Sequence, residues 1–319
     1  MSKRISYRDA GVDLDAARRH TEGIASLVAG QTGFAAAYPV PPGMREPMIV
    51  TCTDGIGTKL LLAQELGRLE GLGQDLVAMC VNDLACTGAR PLVFLDYLAV
   101  GRLDPDEAGA LVRGIAAACD AVGARLAGGE TAEMPGLYAP GHFDLAGFAV
   151  GVVERGEMLG PQRVRAGDAV VGIPSSGLHS NGFSLVRRLV EDGALPADPD
   201  LLLAPTRLYV AELRALLDAG VAVRAAAHIT GGGLHENLPR ALPDGLRARL
   251  DSATWKRGAA ADALLASGRV DEQDAYRTFN MGLGMCLIVA PGDVAAVTAA
   301  VPDARRVGTV EAGEGLELD

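Results

Sequence analysis

The feature that most constrains the fold is a regular alternation of short apolar runs and helical stretches, which begins at residue 46. Apolar runs with β-type composition predict strands, and Leu and Ala at helical spacing predict helices between them. Asp104-Pro105-Asp106-Glu107 marks a helix start, because Asp favours the cap and Pro the first helical position. The predicted strands lie at 48–53, 91–100, 124–127 and 144–153, and the predicted helices at 59–69, 74–87 and 104–122.

The alternation is interrupted over residues 154–167, which contain polar residues, two glycines and Pro161. It then resumes with strands at 169–173 and 222–228, helices at 181–190, 206–217 and after Gly233, and a strand–helix–strand over 284–310. A chain of 319 residues favours two domains. We therefore predict a mixed α/β fold with an N-terminal arm and glycine-containing loop (1–45), an N-terminal α/β domain (46–158) and a C-terminal α/β domain (167–319).

Charge and cysteine usage narrow the class of protein. The net charge is −11 and no dense run of Lys and Arg appears, which argues against a nucleic-acid partner. No apolar stretch approaches the length of a membrane span, and the N-terminus lacks the apolar core of a signal peptide. The five cysteines form no C-x-x-C pair, which argues against zinc and favours reduced thiols. We expect a cytoplasmic protein with no membrane partner.

The most informative segment joins a predicted strand to a predicted helix at residues 53–59, Thr-Asp-Gly-Ile-Gly-Thr-Lys. Gly55 and Gly57 allow close approach of the backbone, and the unpaired N–H groups of the following helix attract anions. Lys59 adds a positive charge for a phosphate, and Asp54 is a hard oxygen ligand for Mg²⁺. An ordinary capped turn explains this segment equally well when it is taken alone.

Two further segments carry carboxylates close to apolar runs. Asn82 and Asp83 lie inside an apolar helical stretch, where a carboxylate is costly unless it is paired or bound to a metal. Glu130 follows two glycines at a predicted strand end, so we expect it to complete a metal shell with Asp54 and Asp83. The alternatives are the polar face of an amphipathic helix for Asp83 and an ordinary polar turn for the Glu130 segment; for Glu133 the turn is at least as good an interpretation.

Two polar turns in the second half each lead into a helix and could bind phosphate there. The first runs from Ser175 to Gly182, and the second is Thr230-Gly231-Gly232-Gly233. Three glycines at a helix start suggest close approach of a ligand. His179 and His228 lie next to these turns and titrate near neutral pH, although either residue taken singly is more often structural. The residues thus predict a metal-dependent enzyme that handles phosphorylated ligands, without naming its reaction.

Several long blocks in a fixed order resemble those of the phosphoribosylformylglycinamidine cyclo-ligases. The matching blocks are Tyr7–Asp13, Asp54–Lys59, Asp75–Leu84, Phe94–Tyr97, Gly128–Pro135, Ser175–Ser184, Leu203–Arg207, His228–Gly233 and Tyr276–Asn280. The resemblance implies a homodimer whose N-terminal domains form a barrel-like interface. It implies ATP and Mg²⁺ as cofactors, and ring closure of formylglycinamidine ribonucleotide to aminoimidazole ribonucleotide, ADP and phosphate in de novo purine biosynthesis.

The roles that this resemblance implies fall into four sets. The metal ligands are Asp54, Asp83 and Glu130. The ATP and phosphate ligands are Asp54, Gly55, Gly57, Thr58, Lys59, Asn82 and Thr131. The substrate phosphate is assigned to Ser175, Ser176, Gly177, Asn181, Thr230, Gly231, Gly232 and Gly233, with the division between the two turns left open. The catalytic residues are His179, His228 and Lys59; we expect His179 to be the base, in a loop that reaches across a cleft, and His228 to orient its neighbours.

The chain departs from the family pattern in a glycine-poor loop at 30–37, in Leu178 where proline is common, and in a shortened region after Glu191. Other ATP-dependent enzymes of the same superfamily are alternatives, among them thiamine-phosphate kinase and selenophosphate synthetase. The latter would need a reactive residue in the N-terminal loop, and no cysteine precedes Cys52. A nucleotide-binding sensor that is not an enzyme is a further alternative.

Overall fold

The computed structural model describes residues 11–28, 35–139 and 141–319. Its first sheet has four strands in the order β1-β4-β2-β3, with β2 and β3 parallel and the other neighbours antiparallel. The strands are β1 (Pro47–Gly55), β2 (Arg90–Val100), β3 (Arg125–Glu133) and β4 (Phe143–Glu154). The helices of this half are α1 (Leu14–Ile24), α2 (Lys59–Glu65), α3 (Leu72–Cys86) and α4 (Pro105–Ala121).

Helix α3 positions the candidate site because it lies between the first sheet and the second half of the chain. It packs against β1 and β4 on one side and against β6 and α7 of the second half on another. Nearly all of its residues are therefore buried, and Asp83 is one of the few that reach solvent. Helix α4 begins at its predicted cap, where the Asp104 carboxylate accepts hydrogen bonds from the backbone N–H groups of Asp106 and Glu107.

The opposite face of the first sheet is apolar and exposed. Ile49, Leu95 and Phe148 are 55%, 36% and 43% exposed, respectively. Leu95 and Phe148 are direct cross-strand neighbours on β2 and β4. Large apolar side chains on adjacent strands form a contiguous patch of the kind that marks an interaction surface.

The second sheet has six strands in the order β10-β7-β9-β5-β8-β6. They are β5 (Ala169–Pro174), β6 (Val223–His228), β7 (Leu246–Leu250), β8 (Leu283–Val289), β9 (Arg305–Ala312) and β10 (Gly315–Leu318). Since β5 and β6 both run antiparallel to β8, they point in the same direction. Their last residues, Pro174 and His228, therefore lie at one edge of the sheet.

The helices of the second half are α5 (Phe183–Glu191), α6 (Pro199–Leu202), α7 (Val210–Asp218), α8 (Gly233–Asn237), α9 (Ala259–Ala266), α10 (Glu272–Thr278) and α11 (Val294–Ala300). Short 3₁₀ turns occupy Arg155–Glu157, Pro161–Arg163, Leu238–Ala241, Ser252–Thr254 and Pro291–Asp293. Within the described parts of the chain, no helix is both long and apolar enough to span a bilayer.

The N-terminal arm docks on β3 through polar contacts. The Glu133 carboxylate accepts hydrogen bonds from the backbone N–H groups of Asp13 (2.6 Å) and Leu103 (2.8 Å). His20 Nε2 lies 3.1 Å from Thr131 Oγ1. Glu133 therefore has a structural role, although it lies on strand β3 and not in the polar turn that its simpler interpretation predicted. Most of the predicted glycine-containing loop, residues 29–34, lies outside the described residues.

Candidate active site

The candidate site lies where the ends of β5 and β6 face helix α3. The turn after β5 contains Ser175 to Gly182, and the turn after β6 contains Ile229 to Gly232. The two turns touch, since a side chain on Gly231 would come within 3.3 Å of Asn181 Oδ1. The structure thus brings the two predicted phosphate turns together at one edge of the second sheet.

Asp83, His228 and Asp54 form a group that we name the open cluster. Asp83 Oδ1 lies 2.9 Å from His228 Nδ1, and the Asp83 side chain is 42% exposed. Burial raises the pKa of the Asp54 carboxyl, and the negative charge of Asp83 raises it further. Two neighbouring carboxylates that disfavour each other's charge, one of them open to solvent, are suited to bind a cation.

Asn82 fixes the proton of His228. Its Oδ1 accepts a hydrogen bond from the backbone N–H of Tyr209, and its Nδ2 donates to the carbonyl of Arg207, each at 2.9 Å. The same Nδ2 lies 3.4 Å from His228 Nε2. Because an amide nitrogen only donates, Nε2 is the acceptor and the imidazole proton lies on Nδ1, directed at Asp83. Asn82 was predicted as an ATP ligand, but both of its polar atoms are engaged inside the protein.

A cavity of about 360 Å³ opens beside the open cluster and is lined by Asp83 and His228. Cys52 Sγ lies 3.8 Å from Asp83 Oδ2 on the same wall. Arg240 and Asn237 contribute from the α8 side. The cavity therefore presents a carboxylate, an imidazole and a guanidinium to one volume.

Lys59 and Asp75 form a second group, the closed cluster, together with Thr206 and the Ala204 carbonyl. Lys59 Nζ lies 2.9 and 2.8 Å from the two Asp75 oxygens and donates to the Ala204 carbonyl at 3.0 Å. Thr206 donates its backbone N–H (2.7 Å) and its hydroxyl (2.6 Å) to Asp75 Oδ1. Both charged side chains are fully buried. Burial lowers the pKa of Lys59, which the charge of Asp75 opposes.

The closed cluster corrects the role predicted for Lys59. The ammonium was expected to meet a phosphate, yet it contacts Asp75 of the first half and the Ala204 carbonyl and Phe183 ring of the second half. The turn that precedes Lys59 is also tied to the second half, because Thr58 Oγ1 lies 3.0 Å from Ser184 Oγ. Gly57 has a φ of +64°, and the Gly55 N–H donates to Asp54 Oδ1 at 2.7 Å.

The predicted metal shell of Asp54, Asp83 and Glu130 is not assembled within the chain. Asp54 is on β1 and Glu130 on β3, and these strands form opposite edges of the first sheet. Three interstrand spacings separate them, about 14 Å. No group of three His, Cys, Asp or Glu with metal-binding geometry occurs among the described residues. Thr131, predicted as an ATP ligand, lies beside Glu130 and contacts His20 of the arm instead.

His179 differs from its expected position. Its ring is fully buried rather than in a loop that reaches across a cleft, and its backbone adopts a φ of +60°. Nε2 accepts a hydrogen bond from the Ser176 N–H at 3.3 Å. Burial, helped by the neighbouring His228, holds the pKa of His179 well below its usual value. His179 is therefore neutral across the physiological pH range.

The hydroxyls and glycines of the predicted phosphate turns have structural partners. Ser175 Oγ donates to Asn280 Oδ1 at 3.1 Å and Ser176 Oγ to the Pro205 carbonyl at 2.5 Å. Gly233 has a φ of +58°, and a side chain there would collide with the Tyr276 carbonyl. The glycines were attributed to ligand approach, but at Gly233 backbone packing requires the glycine.

Sequence reasoning missed several residues of this region. Asp75 appeared only as the first residue of a matching block, and Tyr209 and Arg240 were not singled out. Tyr209 is fully buried, and its hydroxyl donates to the Pro174 carbonyl at 2.8 Å. Asp75 contacts Thr206 and Tyr209 contacts Asn82, in each case more than one hundred positions away, and Arg240 lines a cavity, so none of the three leaves a local signal.

Comparison with known proteins gives the family. Residues 35–153 match the model "AIR synthase related protein, N-terminal domain", and residues 165–319 match the corresponding C-terminal domain. A phosphoribosylformylglycinamidine cyclo-ligase of Sorangium cellulosum (strain So ce56) is 51% identical over 309 residues, covering 90% of this chain and 89% of that protein.

Solved structures with lower identity share the fold. Thiamine-monophosphate kinase from Stenotrophomonas maltophilia K279a has a TM-score of 0.70 at 23% identity, covering 96% of this chain and 95% of that one. The hydrogenase maturation protein HypE in complex with ATP has a TM-score of 0.72 at 17% identity, covering 95% and 89%. The family models and the extent of the 51% identity together show that the chain belongs to the AIR synthase related family, among its phosphoribosylformylglycinamidine cyclo-ligases.

Proposed function

We propose how the two halves of the chain carry out the activity of its family. That activity is the ATP-dependent ring closure of formylglycinamidine ribonucleotide to aminoimidazole ribonucleotide in purine biosynthesis, with ADP and phosphate as products. The chain is an enzyme of this class, an ATP-dependent cyclo-ligase. The observation that supports this most strongly is the 51% identity, which extends over nine tenths of the chain and includes both domains.

The reaction needs an activated oxygen more than an acid or a base. An amide-type oxygen is a poor leaving group, and transfer of the ATP γ-phosphoryl group to the formyl oxygen converts it into phosphate. The substrate's own nitrogen then attacks the activated carbon, the ring closes and phosphate leaves. Phosphoryl transfer depends mainly on positioning and on neutralisation of charge. The protein must therefore hold two phosphorylated ligands with their charges balanced.

We assign Mg²⁺ to Asp54 and Asp83. Burial and the charge of Asp83 both raise the pKa of Asp54, a cation would offset both effects, and the half-exposed Asp83 lines the cavity. Mg²⁺ typically takes one or two carboxylates together with phosphate oxygens and water, and when bound it supplies charge neutralisation to the transferring phosphoryl group. ATP as the phosphate donor agrees with the nucleotide bound by the HypE protein of the same fold.

His228 is assigned as a positioning residue for Asp83. Its Nδ1–H points at the carboxylate, and its Nε2 is occupied by Asn82, so neither nitrogen is free to take a proton from a ligand. The buried His179 holds the Ser176 turn and lies 6.4 Å from His228 between ring centroids. The backbone N–H groups of the two touching turns remain the proposed anchors for the substrate phosphate.

A homodimer is proposed from the exposed face of the first sheet. Ile49, Leu95 and Phe148 form an apolar surface on a sheet whose other face is covered by helices, and a second copy of the same surface would bury them. The proposed domains are an N-terminal domain (46–158) and a C-terminal domain (167–319).

All five cysteines are free, which suits a reducing, cytoplasmic location.

The test of the function is the rate of ADP formation by the purified chain with Mg²⁺, measured with and without formylglycinamidine ribonucleotide. We expect ADP release to depend on the ribonucleotide and to match the formation of aminoimidazole ribonucleotide one to one. ADP release that ignores the ribonucleotide, or none at all, would contradict the assignment.

A further inference from the structure

The closed cluster leaves the phosphoryl-transfer site in need of a cation from the protein. Lys59 was the expected source, but its ammonium is fully buried and engaged with Asp75 and the Ala204 carbonyl. A site that holds phosphate oxygens commonly uses Lys or Arg in addition to metal. Another cationic side chain must therefore face the cavity beside Asp83.

Arg240 is the lysine or arginine that lines this cavity together with Asp83 and His228. It belongs to the 3₁₀ turn Leu238–Ala241, directly after α8. Its side chain is exposed, and among the described residues no carboxylate lies within ion-pair distance of it. By contrast, Arg207 is paired with Glu212 and Asp303. An unpaired guanidinium in a cavity wall is available to a ligand.

The position of Arg240 is fixed by the glycine turn. Asn237 Oδ1 accepts a hydrogen bond from Arg240 Nη1 at 3.4 Å, and Asn237 Nδ2 donates to the carbonyls of Gly231 (3.0 Å) and Gly233 (2.8 Å). Asn237 is itself buried, so the turn and the guanidinium are held on one rigid support. Cys86 also lines this cavity. Burial raises the pKa of its thiol, the charge of Asp83 raises it further and the charge of Arg240 lowers it.

We propose that Arg240 is the phosphate-binding residue of this cavity, with its guanidinium bound to phosphate oxygens of a ligand that occupies the space next to Asp83. The proposal rests on the proposed function for the identity of the ligands, since both ATP and the ribonucleotide carry phosphate. A guanidinium offers five N–H donors in a planar fork that matches two oxygens of a phosphate, which an ammonium does not. Arginine rather than lysine is therefore the specific requirement.

The first test is titration of inorganic phosphate into the full chain by calorimetry. Arg240→Gln should weaken phosphate binding at least tenfold, and Arg240→Lys should retain part of it. Arg306→Gln is the matched control, because Arg306 is an exposed arginine outside the cavity lining that donates a hydrogen bond to Thr309 of its own strand, and its substitution should leave the affinity unchanged. Equal affinity for the parent and Arg240→Gln, equal losses in the Gln variant and the control, or no phosphate binding by the parent would overturn the proposal.

The second test separates the two sources of phosphate by steady-state kinetics. If the Arg240→Gln variant has a KM for ATP alone that is raised tenfold or more, Arg240 binds the nucleotide. The same rise in KM for formylglycinamidine ribonucleotide alone assigns Arg240 to the ribose 5-phosphate. An active Arg240→Gln variant whose KM values for both ligands equal those of the parent would overturn the proposal. If the parent shows no turnover, the proposed function fails while the phosphate titration still decides the role of Arg240.

Discussion

The closed and open clusters both join helix α3 to the second half of the chain, yet they differ in how their charges are satisfied. In the closed cluster, Asp75 is fully buried, one of its oxygens accepts hydrogen bonds from Lys59 and Thr206, and the other lies 2.8 Å from the Lys59 ammonium. In the open cluster, Asp83 has His228 on one oxygen and the Cys52 thiol 3.8 Å from the other, and its side chain is 42% exposed beside a cavity. A fully buried, paired carboxylate contributes to cohesion, whereas a half-exposed one at a cavity can also bind a ligand.

The largest expected effect is on the closed cluster. Asp75→Asn would leave the buried Lys59 ammonium without its counter-charge, so we expect the free energy of unfolding to fall by about 3–5 kcal/mol. Urea denaturation followed by circular dichroism measures this. The double variant Lys59→Met with Asp75→Leu should recover much of the loss, because it removes both buried charges. A loss below about 1 kcal/mol in the single variant would show that the cluster is not structural.

The open cluster should respond in the opposite way. Asp83→Asn keeps the volume of the side chain but removes a charge at the proposed metal site, so we expect turnover to fall about 100-fold, the equivalent of roughly 3 kcal/mol in the barrier. The free energy of unfolding should change by less than about 1 kcal/mol. Steady-state kinetics and urea denaturation on the same sample distinguish the two effects. If Asp83→Asn had normal turnover but a lower free energy of unfolding, Asp83 would be structural and the proposed difference between the two clusters would be wrong.

Asp96 extends the comparison to a buried carboxylate without a partner. Burial under α4 raises its pKa to about 7, and no described residue other than itself donates a hydrogen bond to it. Since the folded pKa lies above the unfolded value of 3.8, its contribution to stability is complete below about pH 4 and is lost as the pH rises through 7. We expect the free energy of unfolding to drop by about 2.5–3 kcal/mol between pH 5 and pH 8 from this group.

Asp96→Asn is the check on that pH dependence. The amide does not ionise, so the variant should be more stable than the parent at pH 8 and similar to it at pH 5. Denaturation curves at both pH values decide the matter. A stability difference that is the same at both would show that Asp96 does not titrate between them.

The smallest effect is expected at His228. Its Nδ1–H orients Asp83, so His228→Ala should lower turnover about tenfold and raise the Mg²⁺ concentration needed for half-maximal rate, in line with the 10–100-fold typical for residues behind a metal ligand. A general base would instead change the pH profile of turnover and cost more. A loss of a thousandfold with unchanged Mg²⁺ dependence would identify His228 as the base and contradict its positioning role.

The sequence predicted the elements well and the side-chain partners poorly, for a physical reason. Strands β1, β2 and β4 and helix α4 were placed within three residues at each end, because periodicity and caps are local. The predicted α7 began four residues early, since Thr206 is held by Asp75 outside the helix. Strand β3 was ended at Ala127, yet it continues to Glu133 because its glycines pack on β2; a side chain on Gly129 would collide with Asp96.

The residues of the candidate site show the same difference between local signals, which the sequence carries, and long-range contacts, which it does not. Asp54, Asp83 and His228 were identified from polar residues at the ends of or inside apolar runs, and the structure brings them together. Glu130 carried a similar signal, but strand order placed it at the far edge of the sheet, which no local pattern encodes. Lys59 was assigned to a ligand because its partner, Asp75, is recognisable only once α2 and α3 are packed.

The most direct test of the difference between the two clusters is metal binding by electron paramagnetic resonance, with Mn²⁺ in place of Mg²⁺ and with ATP present. Free Mn²⁺ gives a sharp signal that is lost on binding. We predict that the parent and a surface control, Asp106→Asn, bind Mn²⁺ alike, while Asp83→Asn binds at least tenfold more weakly. Undiminished Mn²⁺ binding by folded Asp83→Asn would contradict the assignment of the open cluster as the metal site.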